Sequence, residues 1–302
     1  MSTPRTIREY LDQLRAALGD ADPALIQDAL YDAEDHLRSE MAENRGKTET
    51  EMLARIANSY GAPEEVAAIY VDKEKVVQQA LLAPAPPRQH SALGRFFGVA
   101  ADPRAYAALF YMLLALPTGI FYFTWAVAGI SLSIGLSILI FGIAFAVLFF
   151  GTVRVLALVE GRLVEVMLGV RMPRRPPYVL RHQGWGARVK ALFTDPRSWS
   201  TLLYMVLKLP LGIVYFTIAV VGIAMSLGLL FAPIAAALQQ RGVFDDGPGF
   251  YWDGQLVAPP LILAPLAFIA GVVLLFSVLH LARGIARFQG ALAKALLVPS
   301  SD

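Results

Sequence analysis

Apolar positions fall into two regimes along this chain. Between residues 5 and 82 they recur at intervals of three and four: Ile7, Tyr10, Leu11, Leu14 and Leu18; then Ile26, Leu30, Ala33, Leu37 and Met41; then Met52, Leu53, Ile56 and Tyr60; then Val66, Ile69 and Tyr70. That spacing puts each set on one face of a helix. The punctuation agrees. Gly19 stops the first helix, and Asp22-Pro23 is an N-cap followed by proline at the first helical position, where the missing N–H costs nothing. Thr48 and Glu51 have capping-box spacing, Gly61 supplies a left-handed residue, and Pro63 opens a fourth helix. A bundle this small buries little apolar surface, so a partner or the rest of the chain is expected to steady it. Beyond residue 100 the alternation disappears. Residues 105–153 contain no charged side chain, 198–238 contain only Lys208, and 261–281 form another apolar run. At about 20 residues per crossing, these stretches predict four membrane spans.

The membrane part repeats itself. At an offset of 93 residues, Asp102-Pro103-Arg104 falls on Asp195-Pro196-Arg197, Leu116-Pro117 on Leu209-Pro210, Gly119-Ile120 on Gly212-Ile213, and Tyr122-Phe123-Thr124 on Tyr215-Phe216-Thr217. Gly129-Ile130, Ser133 and Gly135 continue the match onto Gly222-Ile223, Ser226 and Gly228. The copies then realign with Arg154 and Gly161 on Arg283 and Gly290, an offset of 129, so the second copy holds 36 extra residues. The predicted fold is therefore all-α. A small N-terminal cytoplasmic helical bundle, residues 1–82, is followed by a Pro-rich linker, 83–92, and a first transmembrane repeat, 93–170. A basic connector, 171–187, leads to a second repeat, 188–302, carrying an outer insertion at 239–260. The Gly- and Ser-rich pieces at 129–137 and 222–238 are expected to be broken backbone buried among the helices rather than further spans.

Charge orients this plan. Residues 1–90 hold sixteen acidic and ten basic side chains, and the remainder holds eight and sixteen. The stretch from Arg154 to Arg197 carries nine basic residues against three acidic, whereas Gln239–Pro260 has Arg241 against Asp245, Asp246 and Asp253. Both termini and the connector are thus expected in the cytoplasm, the insertion outside, and the two hairpins parallel. The polar N-terminus lacks the pattern of a cleavable signal peptide. There is no cysteine, so thiol chemistry is excluded.

Candidate chemistry is sparse. Asp28, Asp32 and Asp35 share one face of the second helix beside Glu34 and His36. Such a trio can meet a cation or a basic partner, but an amphipathic helix ordinarily has a solvated acidic face. No metal or other cofactor is expected. The connector's Arg171, Arg174, Arg175, Arg181, Arg188 and Lys190, with Trp185 and Phe193 interleaved, suit either an anionic leaflet or the acidic head. The orientation rule already demands those charges, so direct nucleic-acid binding is not expected. The run around Leu163, Val166 and Met167 is amphipathic enough to lie on the leaflet. Lys208, whose repeat-mate is Ala115, is an intramembrane charge that either contacts a lipid or ligand or snorkels to the interface, the expected outcome because no acid is read in the spans. Phe250, Tyr251 and Trp252 in the insertion precede Asp253-Gly254, a hairpin signal, and fit either an amphipathic ligand or an interfacial aromatic anchor. Pro117 with Gly119, and Pro210 with Gly212, are equally hinge candidates or helix-packing positions. The four histidines are scattered, and no nucleophile–base set or phosphate loop is present, so catalysis is not expected.

Two resemblances complete the picture. Residues 6–82, through Tyr10-Leu11, Ala29-Leu30-Tyr31-Asp32-Ala33-Glu34-Asp35-His36 and Tyr60-Gly61-Ala62-Pro63-Glu64-Glu65-Val66-Ala67, resemble the cytoplasmic HAAS helical domain. The resemblance implies association with a PadR-type transcriptional regulator. Residues 93–298, through the doubled Leu-Pro-x-Gly-Ile-x-Tyr-Phe blocks, look like the bacterial sensor domain often found ahead of histidine kinases, and here no kinase module follows. Together they imply a non-enzymatic sensor of the bacterial inner membrane that touches lipids, relays through its head to a cytoplasmic protein, and can self-associate through small residues in its spans. The alternatives are a small transporter or channel, or a lipid-binding scaffold.

Overall fold

The computed structural model describes residues 4–44, 48–81, 91–138, 141–175, 194–241, 250–252, 255–257 and 261–298. Nine α-helices lie among them: α1 Ile7–Leu18, α2 Pro23–Glu43, α3 Glu49–Ser59, α4 Pro63–Leu81, α5 Ala92–Phe97, α6 Pro103–Leu136, α7 Phe141–Leu168, α8 Pro196–Gln240 and α9 Ala264–Leu297. Strands β1 Phe250–Trp252 and β2 Gln255–Val257 pair antiparallel with Trp252 opposite Gln255, so these described residues of the insertion form a two-stranded ladder. Among the described residues, α6, α7, α8 and α9 are long and apolar enough to cross a membrane. The four expected spans are present.

The chain forms two compact units, one of residues 1–82, 124–206 and 289–302 and the other of 83–123 and 207–288.

In the first unit the head folds as its periodicity predicts. The Asp22 carboxylate accepts from the Ala24 amide at 2.9 Å, and the Thr48–Glu51 capping box is complete. Gly19 and Gly61 both take positive φ, 51° and 108°, where a Cβ would be strained. Ile7, Tyr10, Leu14, Leu30, Leu37, Met52, Ile56 and Val66 form the core. Met41 and Ile69, expected in the stripes, are exposed instead: Met41 lies in the last turn of α2, and Ile69 at the margin of the buried face of α4.

The membrane helices look outward with large apolar residues such as Phe110, Leu148, Phe231 and Leu266, the surface lipid covers. Inside they pack on small ones. In the second unit a Cβ on Gly119 would lie 2.7 Å from the Lys208 carbonyl oxygen, and one on Gly212 only 2.4 Å from that of Ala115. Lys208 and Ala115 are repeat-mates, as are the two glycines, so the duplicated Leu-Pro-x-Gly motifs pack against each other reciprocally. Pro117 and Pro210 lie inside continuous helices.

The expectation of broken backbone at 129–137 and 222–238 is corrected: these are the ends of α6, to Leu136, and the continuation of α8. The Ser133 and Ser226 hydroxyls donate to the carbonyls of Gly129 and Gly222 four residues earlier, at 2.7 and 2.6 Å. The glycines make room for neighbours, Phe149 against Gly129 in the first unit and Val278 against Gly222 in the second. Phe149 and Val278 are again repeat-mates. Of the extra residues in the second copy, some lengthen α8 to 45 residues, about 68 Å, and others make the hairpin. The run around Leu163, Val166 and Met167 is the end of α7, not a separate surface helix.

Candidate functional site

Gly169, at φ 70°, ends α7 and turns the chain into an extended strap, residues 170–175. The strap lies in the first unit between the head and the membrane helices. Met172 packs on Gly161 of α7 and Val170 on Gly290 of α9, so the two repeat-mate glycines admit the strap on their two helices.

Arg171 is the centre of the seam. Its Nε donates to both Glu74 carboxylate oxygens at 3.1 Å, its Nη2 to Asp28 at 2.9 Å, and its Nη1 to the Met172 carbonyl at 2.6 Å and lies 3.6 Å from Glu165. One guanidinium thus ties α2, α4 and α7 to the strap. The other Asp28 oxygen accepts the amides of Arg174 and Arg175 at 2.7 and 2.8 Å. Burial alone would lower the Arg171 guanidinium, but Asp28 and Glu74 outweigh it and hold it above its ordinary value. Burial also pushes the Asp28 carboxyl up, against the pull of Arg171 and the two amides. Charge-assisted donors, the Arg171 guanidinium among them, surround the Asp28 carboxyl and oppose that push.

Further ion pairs and hydrogen bonds extend the seam on both sides of Arg171. Arg175 reaches Asp32 at 2.9 Å and lies over the Tyr31 ring, and Arg174 reaches Glu165 at 2.9 Å. Gln27 donates to the Arg175 carbonyl and accepts from Arg197 at 2.8 Å, and Lys294 of α9 meets the Asp22 cap at 2.5 Å. Asp28 and Asp32, expected to dock a partner, are thus occupied by the chain's own strap, while Asp35 is exposed. Of the two readings of the connector, leaflet or acidic head, Arg175 meets the head at Asp32, and Arg174 meets Glu165 of α7. His36 stacks on Tyr60, and among the described residues no cluster of His, Asp or Glu converges as metal ligands.

The uncharged runs read as spans hold no acid, but α7 continues past Arg154 to Leu168 and buries Glu160 and Glu165 there. Tyr204 donates to Glu160 at 2.7 Å and accepts from Gln289 at 2.8 Å, all within the first unit. Glu160 and Gln289 are repeat-mates at the offset of 129, the signal that marks them in the sequence. In the second unit Lys208 is 2 % exposed, with its ammonium on the Tyr111 hydroxyl and 4.4 Å from that ring's centroid. Its stem turns into the protein, so the snorkelling expectation gives way: a tyrosine is its near neighbour, and it makes a cation–π contact there. Lys208, the seam and the hairpin are separate places in the chain. Phe250, Tyr251 and Trp252 form β1, and the ligand expectation for their side chains lies outside the described residues, as do the linker prolines, Arg181, Trp185, Arg188, Lys190 and Phe193 of the connector, and the acidic residues of the insertion.

A helical head joined by a basic strap to apolar helices long enough to cross a membrane is the architecture of a membrane protein with a separate polar head. The chain belongs to the family described as "Putative sensor", which matches residues 111–297, and residues 9–69 match the HAAS family. No curated protein and no solved structure matches it.

Proposed function

We propose that this chain is a non-enzymatic sensor of the bacterial inner membrane whose head, with both termini in the cytoplasm, passes the state of the membrane helices to a cytoplasmic partner, a PadR-type transcriptional regulator being the class its HAAS domain suggests. The observation that carries this is Arg171. It binds carboxylates from two head helices and one membrane helix at once, so a shift of α7 against the strap changes what holds α2 and α4. A contact shared between the head and a membrane helix is what a relay needs in order to couple the two. The positive charge of the connector supports the assigned orientation.

The test is capture of the full-length protein from its native membranes, joined to transcript profiles of three strains: unaltered, gene-deleted, and carrying Arg171→Gln. A co-purifying cytoplasmic regulator, with the Arg171→Gln profile shifted from that of the unaltered strain, is the expected result. Recovery of no cytoplasmic protein, together with a deletion profile identical to that of the unaltered strain, overturns the relay.

A further inference from the structure

Within the first unit a second cluster adjoins the Arg171 seam, on the far side of Met172 and Pro173 of the strap and sharing the Arg197–Gln27 bond with it. A small cavity is lined by Arg154, Arg197, Ser198 and Thr201, with Val153, Ala157, Leu158 and Leu297 as apolar wall. Ser198 and Thr201 are 3 % and 4 % exposed, so their hydroxyls belong to a built site rather than to a wet surface. Arg154 reaches Asp195 and the Ser198 hydroxyl only at 3.4 Å each. Arg197 donates to two neutral oxygens, Gln27 Oε1 at 2.8 Å and the Leu297 carbonyl at 3.2 Å. Asp195 is the carboxylate here, and its other oxygen caps α8 by accepting the Arg197 amide at 3.0 Å. Among the described residues only the Arg154 guanidinium is paired with a carboxylate, and Arg197 meets neutral oxygens, so the described lining of the cavity carries a positive charge in excess.

Its depth is informative. Arg154 is the first charged residue after the uncharged run 105–153, and Arg197 is the second residue of α8. Both stand where apolar helix gives way to polar chain, the level of lipid phosphates. Trp199 beside them is half exposed and edge-packed on Phe150 at 6.2 Å, as an interfacial aromatic residue is. The repeat supplies an internal comparison. At the offset of 93 the mates of Ser198 and Thr201 are Ala105 and Ala108, so of the two equivalent arginine pairs, Arg154 with Arg197 and Arg283 with Arg104, only the first has two hydroxyl residues beside it in sequence.

We propose that this cavity binds the phosphate of an anionic ligand, with a phospholipid headgroup as the occupant its depth and apolar wall favour. Two guanidiniums offer forked donors that match phosphate oxygens, and the hydroxyls complete the set. A basic pocket between membrane helices is a recognised form of headgroup site. The assignment does not depend on the relay, because binding is read directly.

The experiment uses the full-length protein in detergent and native mass spectrometry with three probes: phosphatidylglycerol, phosphatidylcholine and inorganic phosphate. Phosphatidylglycerol is expected to bind more tightly than phosphatidylcholine. Arg154→Gln with Arg197→Gln should weaken it about tenfold, the scale of a lost charge-assisted contact. Ser198→Ala with Thr201→Ala should weaken it less, and installs residues the first copy already carries. Displacement by millimolar inorganic phosphate assigns the same site to a free anion, and its failure assigns it to the lipid. Phosphatidylglycerol binding that is unchanged in both sets of variants, or weakened equally by the control Arg104→Gln with Arg283→Gln, overturns the site. Thermal melting of every variant separates lost binding from lost fold.

Discussion

Arg283 of α9 meets Asp102, the residue before α6, with Nε 3.3 Å from Oδ2. The relationship recurs with the copies exchanged: Arg154 of the first repeat meets Asp195 of the second at 3.4 Å. Arg154 and Arg283 are repeat-mates, as are Asp102 and Asp195, so each Asp-Pro-Arg cap is paired with an arginine of the other copy. A hairpin that satisfied its own cap would need no second copy. Here neither repeat is complete alone, which is a physical reason for the duplication to be retained as one chain.

Asp102 has two jobs on two oxygens, since Oδ1 also accepts the Arg104 amide at 3.0 Å. Asp102→Asn keeps the cap and loses the charge pair, which in this partly exposed setting costs about 0.5–1 kcal/mol. Asp102→Ala loses the cap as well and costs roughly 1–2 kcal/mol. Thermal unfolding in detergent should rank them Asp102, then Asn, then Ala. Equal melting of Asn and Ala would show that the cap contributes nothing.

The two glycines of the crossing motif should behave differently from others in the same helices. A Cβ at Gly119 or Gly212 meets backbone rather than a movable side chain, so Gly119→Ala and Gly212→Ala each force the helices apart at about 1–3 kcal/mol. Gly135 and Gly228 have nothing within 4 Å of the added atom, and alanine there is expected to be neutral or slightly stabilising. Melting temperatures of the four variants check this. Equal tolerance at all four positions would make Pro117 and Pro210 the sole determinants of the motif.

Much of this was legible from the sequence, and the failures have identifiable causes. The head's helices and caps followed from local spacing, and the four spans followed from long uncharged runs, because both depend on near neighbours in the chain. The Gly- and Ser-rich pieces misled because glycine and serine break helices in water, whereas here serine returns its hydrogen bond to the helix and glycine admits a neighbour's side chain. Glu160 lies six residues past Arg154, where the uncharged run ends, and its burial depends on Tyr204, 44 positions away. The acidic face of α2 was visible, and so was the basic connector. That Arg171 would select Asp28 and Glu74 together is a long-range choice that no periodicity encodes.

The Tyr204 hydroxyl is held from both sides, donating to Glu160 and accepting from Gln289. Glu160→Gln retains an acceptor and should leave stability nearly unchanged. Glu160→Leu removes it and leaves a buried hydroxyl proton without that acceptor, at about 1–3 kcal/mol. Tyr204→Phe then makes the leucine harmless, so the double variant should cost less than the sum of the two single ones. Additive costs in that cycle would mean that the contact carries no coupling.

Arg171 should be the least replaceable side chain of the strap. Arg171→Met leaves Asp28 and Glu74 buried without their cation, and removing one partner of a buried pair costs about 3–5 kcal/mol. Arg171→Lys should fare little better, because one ammonium cannot reproduce a fork that reaches both oxygens of Glu74, Asp28 and the Met172 carbonyl. Asp28→Asn is the informative contrast: its remaining carbonyl oxygen still accepts the Arg174 and Arg175 amides, so it should disturb the seam less than Asp28→Ala. Hydrogen exchange of the full-length protein reads this locally. Arg171→Met is expected to expose the amides of Arg174 and Arg175 and to loosen α2 and α4 while α6 and α8 keep their protection. If the strap stays as protected in Arg171→Met as in the unaltered protein, Arg171 does not hold the head, and the docking rests instead on Gln27, Asp32 and Lys294.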